Sequence, residues 1–80
     1  MKQLLLYTTE GCHLCDVALQ LVQFSLNTEE FIVEKVEISD SDELVERYGI
    51  RIPVLADAAS RSELGWPFDQ DQLMEFIASL

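Results

Sequence analysis

The chain is poor in positive charge. Five Lys and Arg residues stand against 15 Asp and Glu, for a formal net charge of −10. Nucleic acids and anionic membrane surfaces are bound through basic patches, so neither is an expected partner. The charge serves solubility, and it steers the chain towards positively charged partner surfaces. Long apolar runs are missing too. Leu4-Leu5-Leu6-Tyr7 is four residues, short of the about 7 to 15 of a secretory signal and the about 20 of a membrane span. A cytoplasmic address is therefore the default expectation. Histidine and cysteine are scarce as well, at one and two residues. Tetrahedral zinc needs four ligands, and beyond the cysteines only His13 is available, which argues against a closed metal site. Haem attachment would need His at position 16, which is Asp16. No metal or cofactor is implied. Repeats, low-complexity tracts and linkers are absent, so residues 1–80 read as one domain. The 49% apolar content is ample for a core, although a chain this short buries only about 60 to 65% of its unfolded surface.

The two cysteines sit as Cys12-His13-Leu14-Cys15, after the apolar run and a Thr8-Thr9-Glu10-Gly11 bend. Residues i and i+3 are neighbours on a helix face, so thiols at this spacing can close a small disulfide with little backbone movement. At a helix start, unpaired N–H groups and the dipole favour a thiolate at the first of them. A nucleophilic thiolate with a second thiol in reach is what thiol–disulfide exchange requires. A purely structural disulfide is poorly motivated, because closing so short a loop removes little chain entropy. Cys12 is the expected reactive thiol, and Cys15, a turn inside, the more buried one. His13, when protonated, would favour the Cys12 thiolate. The alternative is an exposed imidazole without a role, since Glu10 and Asp16 partly cancel its charge.

Leu4–Tyr7 predicts a strand buried on both faces. From Cys12 to about Leu26, the apolar positions Leu14, Val17, Ala18, Leu21, Val22 and Phe24 predict an amphipathic helix. Asn27-Thr28 supplies turn chemistry, and Phe31–Ile38 a β-branched second strand. Ser39–Glu43 marks a helix start. Leu44, Val45 and Tyr48 give that helix an apolar face, and Gly49 suits its C′ position. Ile50–Ala56 predicts a third strand with Pro53 inside it, where the ladder must have an edge, a break or a functional gap. Asp57–Ser60 reads as a hairpin loop before a short strand around Ser62–Leu64. Asp69 caps a last helix carrying Leu73, Phe76, Ile77 and Leu80 on one face. The order is β-α-β-α-β-β-α, an α/β class. Right-handed crossover makes the first two strands parallel; an antiparallel hairpin completes a four-stranded mixed sheet with helices on both faces.

A βαβ unit with Cys-x-x-Cys at its strand-to-helix turn is the thioredoxin-like signature. Over nearly its whole length the chain resembles the glutaredoxin-like branch of that family. Leu4-Leu5-Leu6-Tyr7-Thr8-Thr9-Glu10-Gly11-Cys12-His13-Leu14-Cys15 looks like the opening strand and active-site motif of a small glutaredoxin. Tyr48-Gly49-Ile50-Arg51-Ile52-Pro53-Val54-Leu55 is similar to a thioredoxin segment, one residue shorter before the proline. Gly65-Trp66-Pro67-Phe68-Asp69 resembles the tail of short glutaredoxin-like proteins of unassigned physiological role. The resemblance implies a thioredoxin-like fold, with Cys12 the attacking thiolate and Cys15 the resolving thiol. It also implies a cis Ile52–Pro53 bond against the cysteines, with Ile52 offering its backbone to an extended substrate strand.

The departures bear on the partner. Glutaredoxins usually carry Lys or Arg where Thr9 stands, Pro-Tyr where His13-Leu14 stands, and Gly-Gly where Gly65 alone remains. Each loss weakens the case for glutathione, whose carboxylates need cations. Arg51 is the one cation near a predicted active-site loop. Thioredoxin's Trp before the motif is replaced by Gly11, and Leu4–Leu6 contain no buried acid. Trp66 either flanks the site as an apolar docking surface or belongs to the core; Phe68 reads as core.

The favoured reading is a thiol–disulfide oxidoreductase of glutaredoxin type, a monomer acting on protein or small-molecule thiols and disulfides. A protein reductant is expected in preference to glutathione. One alternative is a copper-carrying Cys-x-x-Cys module, although such carriers run β-α-β-β-α-β. Another is a non-catalytic thioredoxin-fold binding module.

Overall fold

Alternation along the first strand decides which side of the sheet each helix covers. In β1 (Lys2–Thr8), Leu4 and Leu6 are fully buried and Tyr7 faces the other way. The computed structural model describes residues 2–26 and 29–80, so the turn expected at Asn27-Thr28 lies outside them. After β1 come α1 (His13–Ser25), β2 (Phe31–Glu37), a single 3₁₀ turn (Ile38–Asp40) and α2 (Asp42–Tyr48). The chain closes with β3 (Val54–Asp57), β4 (Glu63–Gly65) and α3 (Gln70–Ala78).

The sheet order is β2-β1-β3-β4, with β1 and β2 parallel and the other two pairs antiparallel. The main core lies on one face, where Leu4, Leu6 and Leu55 meet Ala18 and Val22 of α1, Leu73 of α3, and Phe68. On the other face Ile38, Tyr48 and Val54 form a second, smaller cluster with Tyr7, Leu44 and Ile52. Both faces are covered, as expected, but unequally, because α2 has only seven residues.

Several expected boundaries move, three of them for reasons the hydrogen bonds and backbone angles show. The third strand begins at Val54 rather than Ile50. The Arg51 and Ile52 N–H groups both donate to the Tyr48 carbonyl, at 2.8 and 3.0 Å, which ties residues 50–53 into a turn after α2. Pro53 thus sits just ahead of the ladder, where its missing N–H costs nothing. The helix start at Ser39–Glu43 splits: Ser39 and Asp40 belong to the 3₁₀ turn, and Ser41 caps α2 by accepting the Leu44 N–H. Gly49 is not a left-handed C′ glycine. It ends α2 in the right-handed region, with φ −51°, and a Cβ there would lie 2.4 Å from the Val45 carbonyl oxygen.

Candidate active site

The cysteine pair is built by the way α1 starts. The Thr9 carbonyl accepts the Cys12 N–H at 3.1 Å. Gly11, at φ +83°, makes the left-handed turn that only glycine adopts freely. Cys12 is then the N-cap of α1, and its Sγ accepts the Cys15 N–H at 3.2 Å. Caps are ordinarily side-chain oxygens. Here a sulfur takes that place, at the positive end of the helix dipole. Cys12 and Cys15 are joined as a disulfide with Cα atoms 5.3 Å apart. Cys15 is 2% exposed and Cys12 partly exposed, so Cys12 is the sulfur more open to solvent. His13, the first residue of α1, points into solvent and has no side-chain partner among the described residues.

Strand register brings the proline loop to the same end of the sheet. Tyr7 pairs with Val54, which sets Pro53 level with Thr8, where β1 gives way to the cysteine loop. The Ile52–Pro53 bond is cis, as expected, and Trp66–Pro67 is cis as well. The Trp66 N–H donates to the Pro53 carbonyl at 3.1 Å, one residue beyond the Val54–Gly65 pair. The Trp66 ring is half-buried against the main core and meets Phe68 edge-on, with centroids 5.2 Å apart. The Ile52 side chain packs in the second cluster, and its N–H is engaged by Tyr48. Of its two backbone groups, only the carbonyl is left for an extended partner.

The surrounding charges differ from the pattern the spacing suggests. Arg51 is held on the α2 side, where it donates to Glu63 Oε1 at 2.9 Å and lies 5.3 Å from the centre of the Tyr48 ring. The Tyr48 hydroxyl donates to Glu63 Oε2, and the Tyr48 ring stacks on Tyr7 at 4.1 Å. The Tyr48 hydroxyl first, then Arg51, hold the Glu63 carboxyl below its usual range. Burial, reinforced by Glu63, pushes the Tyr48 phenol up. The cation beside the cysteine loop is Lys35, which β2 sets alongside Leu6. It lines an open cleft of about 470 Å³ with Thr8 to Gly11, Asp16 and Glu37. Glu37 accepts the Ser39 and Glu10 N–H groups, and the Ser39 bond above all keeps its carboxyl anionic to lower pH than usual.

The glutaredoxin-like domain family (DUF836) matches residues 3–78. The chain belongs to that family. Among solved structures, this glutaredoxin-like chain is similar to the structural-genomics target protein XcR50 from X. campestris. The X-ray structure of XcR50 is 35% identical, with a TM-score of 0.84, covering 96% of this chain and 97% of that one. Its solution structure gives a TM-score of 0.81 at the same identity, covering 100% and 96%. Protein Ne2328 from Nitrosomonas europaea is 27% identical with a TM-score of 0.77, covering 94% and 89%. No protein of curated function matches. The fold is thioredoxin-like, as the element order and these neighbours agree.

Sequence reasoning missed Lys35 and the Tyr48–Glu63 pair in this glutaredoxin-like domain. Strand pairing places Lys35, and the packing of α2 against β4 places the Tyr48–Glu63 pair, so neither leaves a local motif.

Proposed function

We propose that this glutaredoxin-like chain is a thiol–disulfide oxidoreductase that cycles Cys12 and Cys15 between dithiol and disulfide. The observation that carries the reading is a partly exposed sulfur capping α1, with a buried sulfur in bonding reach. In the reduced chain the Cys15 N–H and the helix dipole favour the Cys12 thiolate. That thiolate attacks a partner disulfide; the partner's S–S bond breaks, a mixed disulfide forms, and one partner sulfur leaves as a thiolate. Cys15 gives its proton to solvent and attacks Cys12 Sγ, closing the intrachain disulfide and expelling the second partner sulfur. Two electrons pass to the partner, and a thiol donor returns them by the reverse steps. Pro53, Trp66 and the Ile52 carbonyl form the platform on which the partner lies.

The donor in this reading is a protein thiol rather than glutathione. The tripeptide's two carboxylates need charge-assisted partners. The cleft beside the loop offers Lys35 against Glu10, Asp16 and Glu37, and Arg51 is engaged by Glu63.

The test is alkylation of the reduced chain across pH with peptide mapping, followed by turnover with glutathione and glutathione reductase or with thioredoxin and its reductase. Cys12 should react first, and the protein donor should support faster turnover. Preferential labelling of Cys15 would reverse the roles, and robust glutathione turnover at physiological salt would overturn the donor assignment. Exchange with neither donor would leave a non-catalytic binding module. Thr9→Lys should raise glutathione turnover, because it adds a cation to the loop.

A further inference from the structure

The short α2 leaves a cavity of about 310 Å³ on the face of the sheet opposite α1. Leu5, Ala56 and Leu44 give it an apolar floor and wall, with Tyr7 and Tyr48 at one side. Arg47 of α2 and Arg61 of the β3–β4 loop, both exposed, line its rim. The chain has 15 acids to its five bases, yet neither of these arginines forms an ion pair among the described residues. Arg47 lies 5.8 Å from the centre of the Tyr48 ring, and Arg61 has no side-chain partner among the described residues.

Glu63 is near enough to Arg47 for the two charges to interact, but no bordering acid forms an ion pair with either arginine among the described residues. Both Glu63 oxygens are engaged, by Tyr48 and by Arg51. Asp57 pairs with Leu4 across the strands, so its side chain belongs to the opposite face, where Ser60 holds Oδ2. Only Glu43, in the first turn of α2, is left at the border. Arg61 carries a second signal. It sits at φ +64°, a conformation that costs a side chain energy and that glycine adopts freely. An arginine stands where the turn itself favours glycine, and backbone cost of this kind collects at functional positions.

We infer that this cavity binds a small organic oxyanion, its carboxylate or phosphate head between Arg47 and Arg61 and its apolar body over Leu5, Leu44 and Ala56. The guanidinium fork matches both heads through paired N–H donors. The volume is at the small end of ligand pockets, which run from about 300 to 1,000 Å³. This site is separate from the cysteine pair and stands whether or not the redox reading does.

The experiment titrates the oxidised, ¹⁵N-labelled chain with phenyl phosphate, benzoate, inorganic phosphate and benzylamine, following amide shifts. At least one aryl anion should give saturable shifts at Leu5, Leu44, Ala56 and Arg61, and benzylamine none. Tighter binding of phenyl phosphate would point to a phosphate ester, and tighter binding of benzoate to a carboxylate. Arg61→Gly suits the turn, so it should unfold no more readily than the parent while weakening the anion about tenfold or more. Arg47→Gln should weaken it similarly, and neither variant should change the rate of Cys12 alkylation. The inference is overturned by absence of saturable shifts, by shifts centred on Cys12, or by unchanged affinity in Arg61→Gly. Equal affinity for inorganic phosphate and phenyl phosphate would remove the role given to the apolar floor.

Discussion

Glu63 links three elements through one carboxylate, since it stands on β4, accepts from Tyr48 at the end of α2 and pairs with Arg51 in the turn that follows. Those bonds favour the ionised form, so its folded pKa falls below the reference 4.5. The unfolded chain then holds more protons between the two values. The stabilisation is complete above pH 4.5 and is lost as pH falls through the folded value. Tyr48 works in the opposite direction. Its phenol is raised above the reference 10.0, so its contribution is complete below pH 10.0 and is lost as pH rises beyond it. Glu63→Gln keeps an acceptor but removes the charge. It should lower stability at neutral pH by about 1 kcal/mol, a value discounted for partial exposure. Urea unfolding from about pH 7 down through the acid range checks this, because the gap between parent and variant should narrow steadily below pH 4.5. A gap that does not change with pH below 4.5 would assign the loss to packing instead of charge.

At the scale of elements, what the sequence revealed was whatever is encoded locally. The apolar spacing of α1 and α3 marks both helices, with Cys12 and Asp69 as their caps. The cysteine motif and Pro53 could be read for the same reason, since the chemistry lies in adjacent residues. Ile50–Pro53 misleads because β-branched, apolar residues suit a strand, while the actual bonds go back to Tyr48 and leave Ile50 fully exposed. Lys35 reaches the cysteine-loop cleft, and Glu63 its partners, only through strand register and the β3–β4 hairpin, which no short window contains. α3 offers a quantitative check. Asp69 accepts the Gln72 N–H at 2.8 Å, and Gln72 Oε1 accepts the Asp69 N–H at 2.9 Å, a reciprocal capping box. Asp69→Ala should cost about 1 kcal/mol. The urea midpoint should fall with the slope unchanged, while Cys12 alkylation proceeds at the parent rate. Adding Gln72→Ala should cost less than the sum of the single losses, because one box is broken twice.

For the molecule as a whole, the excess of acids acts at a distance that no single pair describes. With a net charge of −10, the chain repels small anions in bulk solution and draws in partners with a basic face. Residues that open onto the cysteine loop follow the same trend, with Glu10, Asp16 and Glu37 around Lys35. Steering of this kind acts on the encounter and is screened over about 10 Å at 0.1 M salt and about 3 Å at 1 M. Reduction of the Cys12–Cys15 disulfide by a protein dithiol with a basic surface should therefore slow about tenfold between roughly 0.05 and 0.5 M salt. Dithiothreitol attacks as a monoanionic thiolate without carboxylates, so it should show no slowing and at most a slight gain with salt. Glutathione, a net anion, should gain slightly as salt screens the acids it must approach. Stopped-flow measurement of all three donors separates the effects, since a change in the disulfide itself would move every rate together. Equal salt responses for the protein donor and dithiothreitol would mean that surface charge does not guide the encounter, leaving the acids as agents of solubility alone.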